Sequence, residues 1–259
     1  MMAQDRRVQM LELVRARGSA SFGELAGALA VSESTVRRDA DLLAEQGSAS
    51  RIHGGLIYAG AAPKLAHFDA QHPLNRDCKQ AIARQTVRLI EDGDTVLLDG
   101  GTTTYEVARL LVGRPIHVVT NSLPVANLFV ADSASDLVMI GGNICPRTGI
   151  SQGPYAGTMI STLRVRKTVF SVAGITEEGF FNNNLLVVEI ERAMMKAADQ
   201  VIVVADSSKL GRRSLTHLCG LSDISYLVVD RRIPAEWRGR IEAAGVNLVI
   251  ADLPENERT

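Results

Sequence analysis

The stretch VLLDGGTTTYEVARLL, residues 96–111, changes character halfway along. Val96, Leu97 and Leu98 form an apolar run that enters an aspartate and two glycines, and three threonines then open a segment of helical spacing. A strand that turns through glycine into a helix leaves unpaired backbone N–H groups at the helix start, a natural seat for an anion. Gly100 and Gly101 permit the tight turn, and the hydroxyls of Thr102, Thr103 and Thr104 add donors. The pattern is neither the GxxxxGK[ST] of a P-loop nor the GxGxxG of a dinucleotide fingerprint, which disfavours a nucleotide but not a monophosphate. Glycine and threonine also cap and turn helices that bind nothing, so local chemistry leaves capping, binding and turnover all open.

The surrounding sequence repeats the same alternation. Residues 79–93 read as a helix ended by Gly93, 115–121 as a strand, 122–131 as a helix and 135–142 as a strand. Residues 167–175 read as a strand, 185–198 as a helix, and 200–209, 224–230 and 246–252 as further strands. Short Val/Ile/Leu-rich strands separated by helices predict an α/β domain with a mostly parallel sheet, over residues 76–259, and leave the strand order undetermined. Ligands of such sheets sit at the carboxyl ends of the strands. Besides Asp99, those ends carry Asn121 and Ser122, Gly141 and Gly142, and the run from Asp206 to Lys209. Lys209 suits the role of a mobile point charge on a phosphate, or equally of a surface lysine paired with Asp206; Arg147 is a second anion partner. Glu189 is either a polar contact of the site or a partner for Arg192 or Lys196 on its own helix.

The N-terminal residues follow a different plan. Residues 5–17 place Val8, Leu11 and Val14 at helical spacing, flanked by Met10 and Leu13, with Gly18 as the stop. Ser21 and Glu24 form a capping box for a short helix with Phe22, Leu25, Ala26 and Leu29 as its apolar positions. Ser32 caps a third helix ending at Gly47, in which Val36, Ala40, Leu43 and Leu42 face inward and Thr35, Arg37 and Arg38 outward. A hairpin turning at Gly54–Gly55 follows, and the whole, residues 1–57, predicts a winged helix-turn-helix. Such a unit binds duplex DNA with its third helix in the major groove and its hairpin on the backbone or minor groove. Arg37, Arg38, Ser34 and Thr35 are the candidate readers of base edges and phosphate, and Arg51 and His53 are candidate wing contacts. Residues 1–60 hold seven arginines and seven acidic residues, so attraction to DNA rests on placement rather than net charge. Asp39 is suited to orienting an arginine. A protein-docking module is the alternative reading of the same helices. Residues 58–75, with two prolines and weak periodicity, read as a linker.

Composition narrows the class. The formal net charge is −1, which argues against a wholly basic coat. Cys78, Cys145 and Cys219 form no CxxC pair and no ligand set with histidine, so a reducing compartment and no metal or cofactor are expected. The N-terminus has no secretory apolar region and no segment reaches membrane-spanning length, which predicts a cytoplasmic protein. Asp99 and Asp206 are the only carboxylates at two candidate strand ends. No metal cluster or nucleophile elbow accompanies them, so an isomerase with an accessory DNA-binding domain is the lesser reading and a non-enzyme the main one.

Residues 21–55, with their VS.ST.RRD core and terminal R.HGG, resemble the N-terminal signature of the DeoR family of bacterial transcriptional regulators. The likeness continues in order through DGGTTT, VVTNS, IGG, the helix around residues 189–195 and ADSSKLG, from about residue 6 to about residue 230. Ala40, where the family usually has a larger aliphatic residue, and the SVAGI turn at 171–175 depart from the pattern. The resemblance implies a sensor domain similar to the ribose-5-phosphate isomerase fold and a phosphorylated sugar or related anion as effector. It implies a pocket of Asp99, Gly100, Gly101, Thr102, Thr103, Thr104, Asn121, Ser122, Gly141, Gly142 and Lys209. A repressor working as a homodimer or larger homo-oligomer on double-stranded operator DNA is the expected whole.

Overall fold

The computed structural model describes residues 3–17, 19–45, 49–52, 54–58, 68 and 71–253. The chain divides into two compact units, Met1–Lys64 and Leu65–Thr259. Gly18, Gly47 and His53, and most of the stretch read as a linker, lie outside the described residues.

The first unit comprises α1 (Ala3–Arg17), β1 (Ser19–Ser21), α2 (Phe22–Leu29), α3 (Glu33–Glu45), β2 (Ala49–Ile52) and β3 (Gly55–Tyr58). The capping box forms: the Glu24 N–H donates to Ser21 Oγ at 3.2 Å, and the Ser21 N–H donates to Glu24 Oε2 at 2.7 Å. Ser32 Oγ accepts from the Thr35 N–H at the start of α3. The core gathers Met10, Val14, Phe22, Leu25, Val36 and Leu43, and Ala40 is buried with them. Two expected core residues are outside it. Val8 is 54% and Leu42 39% exposed, because at about 100° per residue Val8 lies nearly opposite Met10, and Leu42 sits off the stripe set by Val36, Ala40 and Leu43. The hairpin becomes a three-stranded sheet in the order β1-β3-β2. Gly55 is required at its centre, since a Cβ there would stand 2.4 Å from the Ala20 carbonyl oxygen.

The second unit is built on β4 (Thr95–Leu98), β5 (His117–Thr120), β6 (Asp136–Met139), β9 (Val165–Ser171), β12 (Ala198–Ala205), β14 (Tyr226–Asp230) and β15 (Asn247–Ala251). They form one sheet in the order β15-β14-β12-β9-β4-β5-β6, every pair parallel. The chain winds outward one way from β4 through β5 and β6, then starts again at β9 and winds the other way. The order therefore reverses between β4 and β9, the place where doubly wound sheets open a crevice. Helices α4 (Arg76–Thr86), α5 (Thr102–Leu111), α6 (Leu123–Phe129), α7 (Pro154–Ser161), α8 (Leu185–Ala197) and α9 (Ala235–Ala243) cover it.

Alternation along β4 sorts two of its core layers. Val96 and Leu98 pack with Ile82, Val107 and Leu111, whereas Leu97 packs with Ile160, Ile190 and Met194. Several expected elements are shorter or divided. The helix expected over 79–93 begins at Arg76 and gives way after Thr86 to a tighter turn. The strand expected over 167–175 is broken at Val172–Ala173; β10 (Gly174–Thr176) then joins β11 (Gly179–Asn182) and β13 (Thr216–Cys219) in a separate antiparallel sheet. A hairpin of β7 (Asn143–Cys145) and β8 (Ile150–Gln152) completes the unit. No helix among the described residues is long and apolar enough to cross a membrane.

Candidate functional site

In the first unit, α3 presents Ser34, Arg37 and Arg38 exposed and Thr35 half-buried. Ser32 Oγ lies 2.9 Å from both Ser34 Oγ and Thr35 Oγ1, so the two hydroxyls share the cap that starts the helix. Arg37 pairs with Glu33 at 3.2 Å and lies over the Phe22 ring, 4.8 Å from its centroid. Arg51, from β2, pairs with Asp41 and lies over the same ring at 5.4 Å. Two guanidinium groups from α3 and the wing are thus seated on one aromatic ring, while Arg38 has no ion-pair partner among the described residues. Asp39 orients neither of its neighbours: it is buried and receives Arg6 of α1 at 2.6 Å, tying α1 to α3.

In the second unit, a cavity of about 660 Å³ opens at the β4–β9 reversal. Asp99, Gly100, Gly101, Thr102 and Thr103 form one wall. Gly100 and Gly101 are fixed by crowding: a Cβ on the first would meet Ile150 Cγ1 at 2.4 Å, and on the second Ser171 Oγ at 1.9 Å. No side chain caps α5 at Gly101, so the first N–H groups of the helix have no acceptor from the capping residue. Lys209 and Arg147 also reach the cavity, from after β12 and from the β7–β8 turn. Asp206 makes no side-chain ion pair with Lys209; its buried carboxylate accepts from the Ser208 N–H at 3.1 Å and from Asn75 Nδ2 at 3.1 Å.

Other predicted residues stand behind the wall. Thr104 is fully buried. Asn121 Nδ2 donates to the Ser151 carbonyl at 3.2 Å, and Ser122 Oγ caps α6 by accepting from the Val125 N–H. Gly142 lies against Ser151, with Gly141 beside it; neither lines the cavity. Asn121 thus ties the end of β5 to β8 and Ser122 starts α6, whereas Gly141 and Gly142 are exposed. Glu189 is exposed and faces a shallow surface depression with Arg192 and Lys196 instead.

Several wall residues escape sequence reasoning. Glu191, two positions after Glu189, is fully buried and lines the cavity. Its Oε1 accepts from Asn182 Nδ2 at 2.6 Å, while Oε2 has no partner. The signal was present as a glutamate on the buried stripe Val188, Glu191, Met194. Lys79 is a buried cation on α4 that donates to the Gln71 carbonyl at 2.7 Å. Gln71 and Asn75, at the end of the stretch read as linker, line the cavity with it, as do Ser171 and Arg212.

The buried groups are displaced in protonation. Burial pushes Asp99 up to about 6, opposed in part by the nearby backbone of Gly100, Gly101 and Ser171. Burial and then the Asp99 charge push Glu191 well above the usual carboxylate range. Burial lowers Lys79, partly offset by Asp206. Among the described residues, no group of three or more His, Cys, Asp or Glu could hold a metal ion. The cavity therefore offers helix N–H groups, cationic side chains, amides, hydroxyls and two dry carboxyl groups.

Comparison with known proteins agrees with this two-part arrangement. The family model for the DeoR-like helix-turn-helix domain matches residues 6–61, and that for the DeoR C terminal sensor domain matches residues 74–231. The chain is 32% identical to the putative aga operon transcriptional repressor of Escherichia coli O157:H7, over 95% of this chain and 93% of that protein. It is 33% identical to the glycerol-3-phosphate regulon repressor of Haemophilus influenzae, over 86% of this chain and 87% of that one. A ribose 5-phosphate isomerase from Methanocaldococcus jannaschii overlaps 52% of the chain, and 55% of its own, at 19% identity and a TM-score of 0.39. With both family models matched in order, the chain belongs to the DeoR family of transcriptional regulators, a DNA-binding helix-turn-helix unit followed by a sensor unit.

Proposed function

We propose that this protein is a repressor of a carbohydrate-metabolism operon, and that a phosphorylated sugar or related anion bound at the β4–β9 crevice lowers its operator affinity. The observation that carries the reading is the cavity itself. It joins the uncapped start of α5 to Lys209 and Arg147, in a chain that also bears Arg37, Arg38 and Arg51 on a winged helix. Names among the relatives, such as a glycerol-3-phosphate regulon repressor, support a phosphorylated effector. In this reading the phosphate sits on the α5 N–H groups and the Thr102 and Thr103 hydroxyls, with Lys209 and Arg147 as counter-charges. Ser34, Thr35, Arg37, Arg38, Arg51 and His53 contact duplex DNA in the cytoplasm, in a homodimer or larger homo-oligomer reading related half-sites. The ligand acts through its different affinity for two states of the oligomer, one of which holds the α3 helices in register with the operator.

The test is operator binding by the full chain, with and without a panel of phosphorylated sugars. At least one is expected to weaken binding by about tenfold, within the usual range of coupling between sites. Unchanged affinity across the panel would sink the switch. A dry carboxyl near pH 6 is also what an isomerase uses as a base, so turnover is measured on the same panel. The regulator reading expects the sugars to be recovered unaltered, and steady isomerisation lost in Asp99→Asn would replace it with the enzyme reading.

A further inference from the structure

The charges in the cavity are unevenly shared. Asp99 and Glu191 are both buried, line the same space, and each keeps one carboxyl oxygen, Oδ1 and Oε2, without a hydrogen-bond partner. Neither forms an ion pair with a cation among the described residues. The Asp99 charge acts on Glu191 unfavourably. Lys79, by contrast, stands in the field of Asp206, Lys209 and Glu106. The cavity thus carries the cationic side chains of Lys79, Arg147, Lys209 and Arg212 and two carboxyl groups that no ion pair among the described residues compensates.

Asn182 makes the two carboxyl groups a built feature rather than an accident of packing. Its amide donates to Glu191 Oε1 at 2.6 Å and to the Ser171 carbonyl at 3.3 Å, fixing the glutamate so that Oε2 remains free. Two dry carboxyl oxygens with no donor are costly unless something brings positive charge or several donors to them. A neutral hydroxyl supplies one hydrogen bond and no charge. A primary ammonium supplies three donors and a positive charge in whose presence both carboxyl groups can ionise.

We infer that the effector is a phosphorylated amino sugar, its phosphate held at the α5 start and its protonated amine between Asp99 and Glu191. This rests on the phosphorylated-sugar reading above and narrows it. The ligand carries both signs of charge, and the amine is the part that distinguishes it from a hexose phosphate with a hydroxyl in that place.

The test is calorimetric titration of the full-length protein with three probes of equal size at the phosphate end: glucosamine 6-phosphate, glucose 6-phosphate and N-acetylglucosamine 6-phosphate. The amine is expected to bind at least about tenfold tighter than the hydroxyl, as a desolvated charge pair allows, and the neutral acetamide to lack that gain. Glu191→Gln, which keeps shape and removes charge, is expected to abolish the preference. Equal affinity for the three, or tighter binding of glucose 6-phosphate, overturns the amine subsite while leaving the sugar-phosphate reading standing. Amine preference that survives both Glu191→Gln and Asp99→Asn overturns it as well. Failure of all three probes to bind at millimolar concentration overturns the sugar-phosphate reading and this inference together. The comparison of the three probes on the unmodified protein stands even where a variant fails to fold.

Discussion

Asp99 illustrates how a single side chain can be at odds with the stability of its own fold. Its carboxyl is pushed up to about 6, from an ordinary value of 3.8, chiefly by burial. Below about pH 4 both the folded and unfolded chains carry it neutral and nothing is lost. As pH rises from 4 through 6 the unfolded chain releases the proton first, so the folded state loses ground. By neutral pH the cost reaches about 3 kcal/mol, at roughly 1.4 kcal/mol per pH unit. Asp99→Asn is therefore expected to raise unfolding free energy by up to that amount at pH 7.5, in urea titrations, and by little at pH 4. A gain of equal size at both pH values would show that the effect is packing and not charge.

Among the elements, α2 has its start fixed by a reciprocal pair of residues three apart. Removing the Ser21 hydroxyl leaves the Glu24 N–H without its acceptor and also frees the Glu24 carboxylate from one of its donors. Ser21→Ala is expected to cost about 1 kcal/mol, seen as roughly fivefold faster amide exchange across Phe22–Leu29. The capping box was legible in the sequence because its partners are three residues apart. By contrast β1 was not: Ser19–Ser21 has no apolar run, and its strand character comes from pairing with Gly55–Ile57 across the unit. Strand order in the sheet was equally hidden, since strands buried on both faces are apolar throughout and give no sign of their neighbours. In the cavity, the DGGTTT turn announced itself through glycines beside a strand end. Glu191 and Lys79 did not, because each is one charged residue on an otherwise apolar helical stripe, and such residues show their purpose only when the opposing wall is in place.

At the level of the whole molecule, substitutions in the two units are expected to give separable phenotypes. Arg37→Ala with Arg38→Ala is expected to weaken operator binding by at least about a hundredfold at physiological salt, with a shallower salt dependence, through lost phosphate and base contacts. Lys209→Ala is expected to bind unliganded operator nearly normally and to release it poorly when the effector is added. A Lys209→Ala protein that releases normally would remove Lys209 from the pocket. The DNA-facing unit carries a further constraint in the ring of Phe22, which lies beneath both Arg37 and Arg51 while being almost wholly buried itself. One buried ring therefore sets where both guanidinium groups lie, from inside the core of the unit. A substitution of Phe22 is expected to displace Arg37 and Arg51 together, whereas one at the exposed Ser34 or Arg38 leaves their common seat intact.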